Sequence, residues 1–332
     1  MAGAAVPCEH RETTAFGGGK REGGQGVSVS GTIRVATRGS LLALAQTERV
    51  IAALRRIAPD CLYQPYIIHP EGDRDKTTPL AVLGGQGVFV VGVQEAVQDG
   101  RAHLAVHSAK DVPPATPEGL TIAAYPERVD PRDVFVSRHG VPLAELPAGA
   151  TVGTSSRRRA VQALATNPGV RVIELRGNLD TRLRKSDTAQ YDGIIVAAAG
   201  LERMGWADRA TEYLPVATFV PAPAQGAIAV ECRSDDADTI ALLARIDDAE
   251  ARTTVTAERA GLSAIGAGCR SPFALHAQQR GERLHLWGMM ADEDGANARW
   301  LEEVAPGGES LPAGVHLARM LAGMRTNAEV RV

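Results

Sequence analysis

In the stretch Ile33-Arg34-Val35-Ala36-Thr37-Arg38-Gly39-Ser40-Leu41, an apolar run gives way to Arg-Gly-Ser and then to a helical pattern. Ile33 to Thr37 reads as a short buried strand. Ser40 can cap a helix whose apolar face is Leu41, Leu44, Ala45, Val50, Ile51 and Leu54, ending before Pro59. Tyr63 to Ile68 predicts a second strand, Val88 to Val97 a second helix and Leu104 to Val106 a third strand. This βαβ order implies a parallel sheet with helices on its faces.

The third strand runs into His107-Ser108-Ala109-Lys110-Asp111-Val112-Pro113. It places a hydroxyl, an ammonium and a carboxylate at the C-terminal end of a strand, where open α/β sheets bind ligands. Further along, Thr121 to Tyr125 and Val134 to Val136 are strand-like and flank a crossover at Arg128 to Arg132. A second α/β unit follows. Its strands are expected at Thr151 to Thr154, Val170 to Leu175 and Ile194 to Ala198, and its helices start at Ser155 or Ser156, at Leu179 and at Gly200. Pro221 and Pro223 mark a return crossover, so that Ala227 to Glu231 rejoins the first sheet.

From Asp247 the pattern changes to a long helix, Ala249 to Ala264, and the small-residue loop Gly266-Ala267-Gly268-Cys269. Antiparallel strands at Phe273 to Gln278 and Leu284 to Met290 follow, then a closing helix at Val315 to Met324. The reading is three domains: residues 31–127 with 225–246, residues 128–224, and residues 247–332. The first two are α/β lobes joined by two crossovers, which form a cleft able to close on a ligand; the third is a smaller α+β domain. Residues 1–30 are rich in Gly, Ser, Glu and Arg, without an apolar signal core, and read as a disordered tail.

Composition narrows the function classes. The chain has 332 residues, net charge −3 and only 4% aromatic residues, which argues against a surface built for nucleic acid. Cys8, Cys61, Cys232 and Cys269 are widely spaced with no CxxC pair, which suits a reducing cytoplasm and argues against a metal site or disulfide framework. No apolar run approaches the ~18 residues that span a membrane.

The basic residues are clustered. Arg38-Gly39-Ser40 stands at the first strand-to-helix junction, and Gly153-Thr154-Ser155-Ser156-Arg157-Arg158-Arg159 at the matching junction of the second lobe. Helix N-termini expose free N–H groups, and arginine forks bind carboxylate or phosphate in bidentate fashion. Arg176-Gly177-Asn178 and Thr181-Arg182 add a further set. Asp111 is the only acidic residue that this reading places among the cations, either stabilising a developing cation or serving as a turn acceptor. Cys269 is either a small buried apolar residue or a thiol presented for covalent attachment.

With these residues in view, the chain resembles the hydroxymethylbilane synthase (porphobilinogen deaminase) family over roughly residues 32 to 325. The matching segments are Val35 to Ser40, His107 to Pro113, Asp130-Pro131-Arg132-Asp133, Gly153 to Arg159, Leu175 to Asn178, Pro223-Ala224-Gln225-Gly226, Ala257-Glu258-Arg259-Ala260 and Gly268-Cys269. The resemblance implies two lobes like those of type II periplasmic binding proteins and a third domain carrying the cofactor cysteine. It implies a dipyrromethane cofactor held by thioether to Cys269. It also implies condensation of four porphobilinogen molecules with loss of ammonia, and release of hydroxymethylbilane from a cytoplasmic monomer. Asp111 matches the family's catalytic aspartate. Arg38, Ser40, Ser108, Lys110, Thr154, Ser155, Ser156, Arg158, Arg159, Arg176, Gly177 and Arg182 match binders of cofactor or substrate carboxylates, with Arg203 and Gln225 as further candidates. The alternative is a non-catalytic two-lobed protein that binds a polycarboxylate; it leaves Asp111 and Cys269 without roles.

The chain departs from the family pattern at Val82, Gln86, Val91-Gly92, His103, Ala264 and Gly266, where the family usually carries charged residues. Removing a charge-assisted hydrogen bond from a buried site costs about 1.5–3 kcal/mol.

Overall fold

A computed structural model of the chain describes residues 31–69, 90–266 and 271–323. The tail at 1–30, Val82, Gln86 and Cys269 lie outside the described residues.

The first lobe opens with β1 (Gly31–Arg38), α1 (Leu41–Ile57), β2 (Cys61–Ile68), α2 (Val91–Gln98), β3 (Leu104–Ser108) and β4 (Leu120–Ala124). The second contains β5 (Asp133–Ser137), β6 (Thr151–Gly153), α3 (Arg157–Thr166), β7 (Arg171–Ile173), α4 (Leu179–Ser186), β8 (Gly193–Ala197), α5 (Ala198–Met204) and β9 (Glu212–Tyr213). The chain then returns through β10 (Ile228–Arg233) and α6 (Ala237–Leu243) to the first lobe. The third domain comprises α7 (Ala249–Ala264), β11 (Phe273–Arg280), β12 (Arg283–Met290), β13 (Arg299–Pro306) and α8 (Ser310–Gly323).

The strand orders of the lobes are β2-β1-β3-β10-β4 and β7-β6-β8-β5-β9. They are the same arrangement, in which the fourth strand crosses in from the other lobe and runs antiparallel to its neighbours. This is the strand order of type II periplasmic-binding-protein lobes. The fully parallel sheets expected from the βαβ order are therefore mixed ones. A strand that arrives by a short crossover enters from the opposite end, and local hydrophobic period carries no record of that direction. Strand β13 has no counterpart among the expected elements, because as a polar edge strand it buries only Ala305. The closing helix starts at Ser310, with Leu311 and Pro312 of its first turn in solvent.

Apolar faces on both sides of each sheet form the cores. In the first lobe, Val50, Ile51 and Leu54 of α1 pack on Val35, Leu104 and Val106, while Val93, Ala96 and Val97 of α2 cover Ala36 and Ala105. Full burial of each of these valine, leucine and isoleucine side chains contributes about 1.5–3 kcal/mol. Leu41, expected on the buried face of α1, is 55% exposed. Gln46 and Thr47 are buried in its place, because that part of the helix faces polar groups at the sheet end.

The two crossovers touch each other. Val129 N donates to Gly226 O at 3.3 Å. Gly226 has φ +89, and a Cβ there would lie 2.5 Å from Val129 O, so glycine is required. A third packing surface joins Ala109 and Val112 to Ala224, Ala227 and, on α7, Ala251 and Val255. The segment carrying Asp111 thus rests on the third domain as well as on its own lobe.

Candidate active site

Each functional segment starts where a strand ends. At the end of β1, Ser40 caps α1, its Oγ accepting from Ala43 N at 3.3 Å. That leaves the hydroxyl proton available to an anion. At the end of β3, Ser108 exchanges hydrogen bonds with the Gln46 amide at 2.8 and 3.2 Å. The chain then makes a single 3₁₀ turn, Ala109–Asp111, stopped by Pro113. Asp111 lines a cleft with Arg38, Ser40, Gln46, His107 and Ser108 from the first lobe and Asn178 and Leu179 from the second. Asn178 belongs to the set read from the sequence, whereas Gln46 was missed.

Beneath the cleft, His107 Nε2 lies 3.2 Å from Glu231 Oε2, and Gln94 Nε2 donates to Glu231 Oε1 at 3.0 Å. These three buried polar groups satisfy one another and fasten α2 to the sheet.

In the second lobe the hydroxyls mainly shape the junction. Thr154 Oγ1 accepts from Ser156 N at 3.1 Å, Ser156 Oγ caps α3 by accepting from Arg159 N at 3.3 Å, and Ser155 Oγ donates to Leu175 O. Ser156 keeps its own proton free; Ser155 directs its proton to a carbonyl.

Arg158 and Arg159 close on a protein carboxylate, Asp133. Arg158 Nη2 is 2.7 Å from Asp133 Oδ2, and Arg159 Nη2 is 2.6 Å from Oδ1. All three side chains are buried. Burial alone would raise the Asp133 pKa, but Arg158 and Arg159 outweigh it and hold the group at about 2. Asp111 is therefore not the sole acid among the cations. Asp133 was visible in the Asp130 to Asp133 segment, but nothing in its spacing marked its partners.

Gln225 joins the lobes. Its Nε2 donates to Asp133 Oδ1 at 2.9 Å and to Pro131 O at 2.8 Å, and its Oε1 accepts from Lys110 Nζ at 3.3 Å. Burial, reinforced by the field of Arg159, pushes the Lys110 ammonium down to about 8. Asp111 and Asp133 oppose that shift without outweighing it.

Arg182 donates from Nε to Gly177 O at 2.7 Å, and Gly177 has φ +119. Burial first, then Arg159, lowers the Arg182 pKa to about 10. Arg176 Nε lies 3.8 Å from Glu174 Oε1. Arg203 is turned elsewhere: its Nη2 donates to Gly226 O at 2.6 Å, so it braces the crossover.

Three departures from the family pattern fall on positions that tolerate them. His103 Nδ1 accepts from Arg34 N at 3.0 Å, and burial lowers its pKa, so the neutral ring supplies the acceptor. Ala264 and Gly266 are exposed, and Gly266 has φ +86, where a side chain would be strained. The cost of removing a buried charge does not apply at these two positions.

Among the described residues no group of His, Cys, Asp or Glu could hold a metal ion, and no helix is long and apolar enough to cross a membrane. The donor set instead suits an organic polyanion. Arg38 lines the cleft from the first lobe, Lys110 and Arg182 each feel the charges of Asp111 and Arg159, and Arg176 acts on Arg182; the desolvated Lys110 and Arg182 would regain charge stability beside carboxylates. These residues fit a dipyrromethane bearing acetate and propionate groups. In sequence, Ala264 at the end of α7 stands five residues before Cys269.

The two lobes share one strand order, and between them lies a cleft lined by Arg38 and Asp111. The profile of the porphobilinogen deaminase dipyromethane cofactor binding domain matches residues 33–241, and that of the porphobilinogen deaminase C-terminal domain matches residues 252–323. Porphobilinogen deaminase from Syntrophus aciditrophicus is 46% identical over 78% of this chain and 84% of its own length. The porphobilinogen deaminases of Brevibacillus brevis and a Roseiflexus species are 43% and 45% identical, over 88% and 86% of this chain and 94% of each relative. The chain belongs to the porphobilinogen deaminase family. Nothing in these matches supports a non-catalytic polycarboxylate-binding protein.

Proposed function

We propose that the chain condenses four porphobilinogen molecules head to tail into hydroxymethylbilane, with Asp111 as the carboxylate at the reacting centre. The observation that carries the assignment is the position of Asp111, at the end of β3 in a cleft lined from both lobes. Loss of ammonia from the substrate aminomethyl group breaks the C–N bond and leaves a cation delocalised over the pyrrole. A carboxylate near that pyrrole nitrogen stabilises it. When the new C–C bond forms, the α-carbon of the acceptor ring loses its proton, and in this reading Asp111 takes it.

Arg38, Ser40, Ser108, Lys110, Ser156, Arg176 and Arg182 bind cofactor or substrate carboxylates in this reading. Arg158, Arg159, Gln225, Thr154, Ser155, Gly177 and Arg203 hold the cleft in shape. The dipyrromethane, attached through Cys269, supplies the free pyrrole position that the first substrate joins. The working unit is a cytoplasmic monomer of three domains, residues 31–127 with 225–246, 128–224 and 247–332.

Intact-mass measurement of the purified protein tests the attachment. The expected mass exceeds the chain by one dipyrromethane, and Cys269→Ser removes the increment. An unmodified mass that persists after incubation with porphobilinogen contradicts the assignment. Asp111→Asn should keep the fold and the attached group while losing most turnover.

A further inference from the structure

The Asp111 turn is followed by Val112-Pro113-Pro114. Two of these three residues have no backbone N–H, so the loop cannot close on itself by its own amide donors. Val112 N makes one such bond, to Ala109 O at 3.3 Å. The carbonyls are taken up from another domain. On α7, Arg259 donates from Nη1 to Val112 O at 3.0 Å, and from Nη2 to Pro113 O at 2.8 Å and Pro114 O at 3.2 Å. A planar guanidinium spans three successive carbonyls, which a lysine ammonium cannot reproduce with the same directionality.

A second, independent contact fixes the same junction. Ala109 and Val112, which bracket Lys110 and Asp111, are buried against Ala251 and Val255 of α7. The residue before Arg259 ties the helix to the crossovers: Glu258 accepts from Arg128 at 2.8 and 2.9 Å and from Ala224 N. One helix of the third domain therefore grips both the loop behind Asp111 and the hinge between the lobes.

We propose that Arg259 is a positioning residue for the reaction, setting the Asp111 carboxylate in the cleft by holding the three carbonyls that follow it. The inference rests on the reading of Asp111 as the reacting carboxylate. A displacement of about 1 Å at such a group costs on the order of 100-fold in rate.

The test is a cycle on the loaded holoenzyme: the parent, Arg259→Gln, Asp111→Asn and the double variant, each checked for the attached dipyrromethane by mass and for its unfolding midpoint. Arg259→Gln is expected to lower kcat about 10- to 100-fold with little change in KM. Arg259→Lys should recover part of the loss. In the Asp111→Asn background the same substitution should add almost nothing, since there is no carboxylate left to position. A full multiplicative loss in that background overturns the inference, as does a folded, loaded Arg259→Gln with kcat near the parent. If Arg259→Gln fails to fold, Arg259→Lys, which keeps the charge, replaces it in the cycle and is read the same way. Near-normal turnover of Asp111→Asn alone would instead overturn the underlying reading, before Arg259 is touched.

Discussion

Arg159 donates to Asp133 twice, from Nε at 3.0 Å and from Nη2 at 2.6 Å, with both side chains buried. The ion pair joins the first strand of the second lobe to the start of α3, and Arg158 completes it on the other oxygen. The cation cluster at this junction is thus partly neutralised before any ligand arrives. Lys110 and Arg182, which no salt bridge joins to a carboxylate among the described residues, keep positive charge there.

Asp133→Asn would leave two buried guanidiniums short of a counter-charge. Breaking a buried pair costs about 3–5 kcal/mol, to be read from urea unfolding. The parent should also show an acid limb. Asp133 is held at about 2, below its ordinary value near 3.8, so its contribution is present above about pH 4 and is lost as pH falls through 2. It amounts to about 2–3 kcal/mol. The Asn variant should lack this limb.

Lys110 should impose an alkaline limit on substrate binding. Its ammonium is pushed down to about 8 by burial and Arg159, with Arg158 acting in the same direction and Asp111 and Asp133 opposing. As pH rises through 8 the free site loses this charge, and the KM for porphobilinogen should rise. Lys110→Arg should move that rise to higher pH, and Lys110→Met should raise KM at every pH. A kcat/KM profile from pH 6 to 10 checks both. Stability should move the other way: the folded chain releases this proton before the unfolded chain does, so the cost of burying the charge is relieved above pH 8.

Glu258 is fully buried and takes donors from Arg128, Ala224 N and Ala277 N, with His276 Nδ1 at 3.0 Å. Glu258→Ala removes the carboxylate facing Arg128, whose guanidinium keeps only the neutral acceptors Gln225 O and Thr254 Oγ1. The expected loss is about 3–5 kcal/mol, measured by urea unfolding. A change below 1 kcal/mol would show that the contact between the crossovers and the third domain does not depend on this carboxylate.

Gly314 is where α7 and α8 meet most closely. A Cβ at Gly314 would collide with Ala257 O, a backbone atom that cannot swing away. Gly314→Ala should destabilise the chain by about 1–3 kcal/mol through forced separation of the helices. Gly308→Ala, with nothing within 4 Å of the added carbon, should stay within about 0.5 kcal/mol. Thermal unfolding of the pair distinguishes the two.

Much of the fold was legible in the sequence because it is local. Ser40 and Ser156 cap the helices that they precede, and Ala249 to Ala264 is helical over the whole expected range. The return of Ala227 to Glu231 to the first sheet was marked by prolines that end one path and begin another. What local pattern could not carry was strand direction in β5 and β10, the polar edge strand β13, and the burial of Gln46 in place of Leu41. Each depends on which surface lies opposite, and neither period nor propensity encodes that.

The sequence by itself determined the order of most elements, the presence of a carboxylate at a strand end, the arginine-rich character of two junctions and the family to which these segments belong. Spacing and residue type suffice for that, since caps, breakers and short motifs act over a few residues. The tertiary structure decided how the charges are committed. Asp133 meets Arg159 across 26 residues, and Arg259 reaches Val112 across 147. Such partners are brought together only by the crossovers and by packing of α7 on the Asp111 turn. Their desolvation, not their spacing, then sets which cations are already paired and which remain for a ligand.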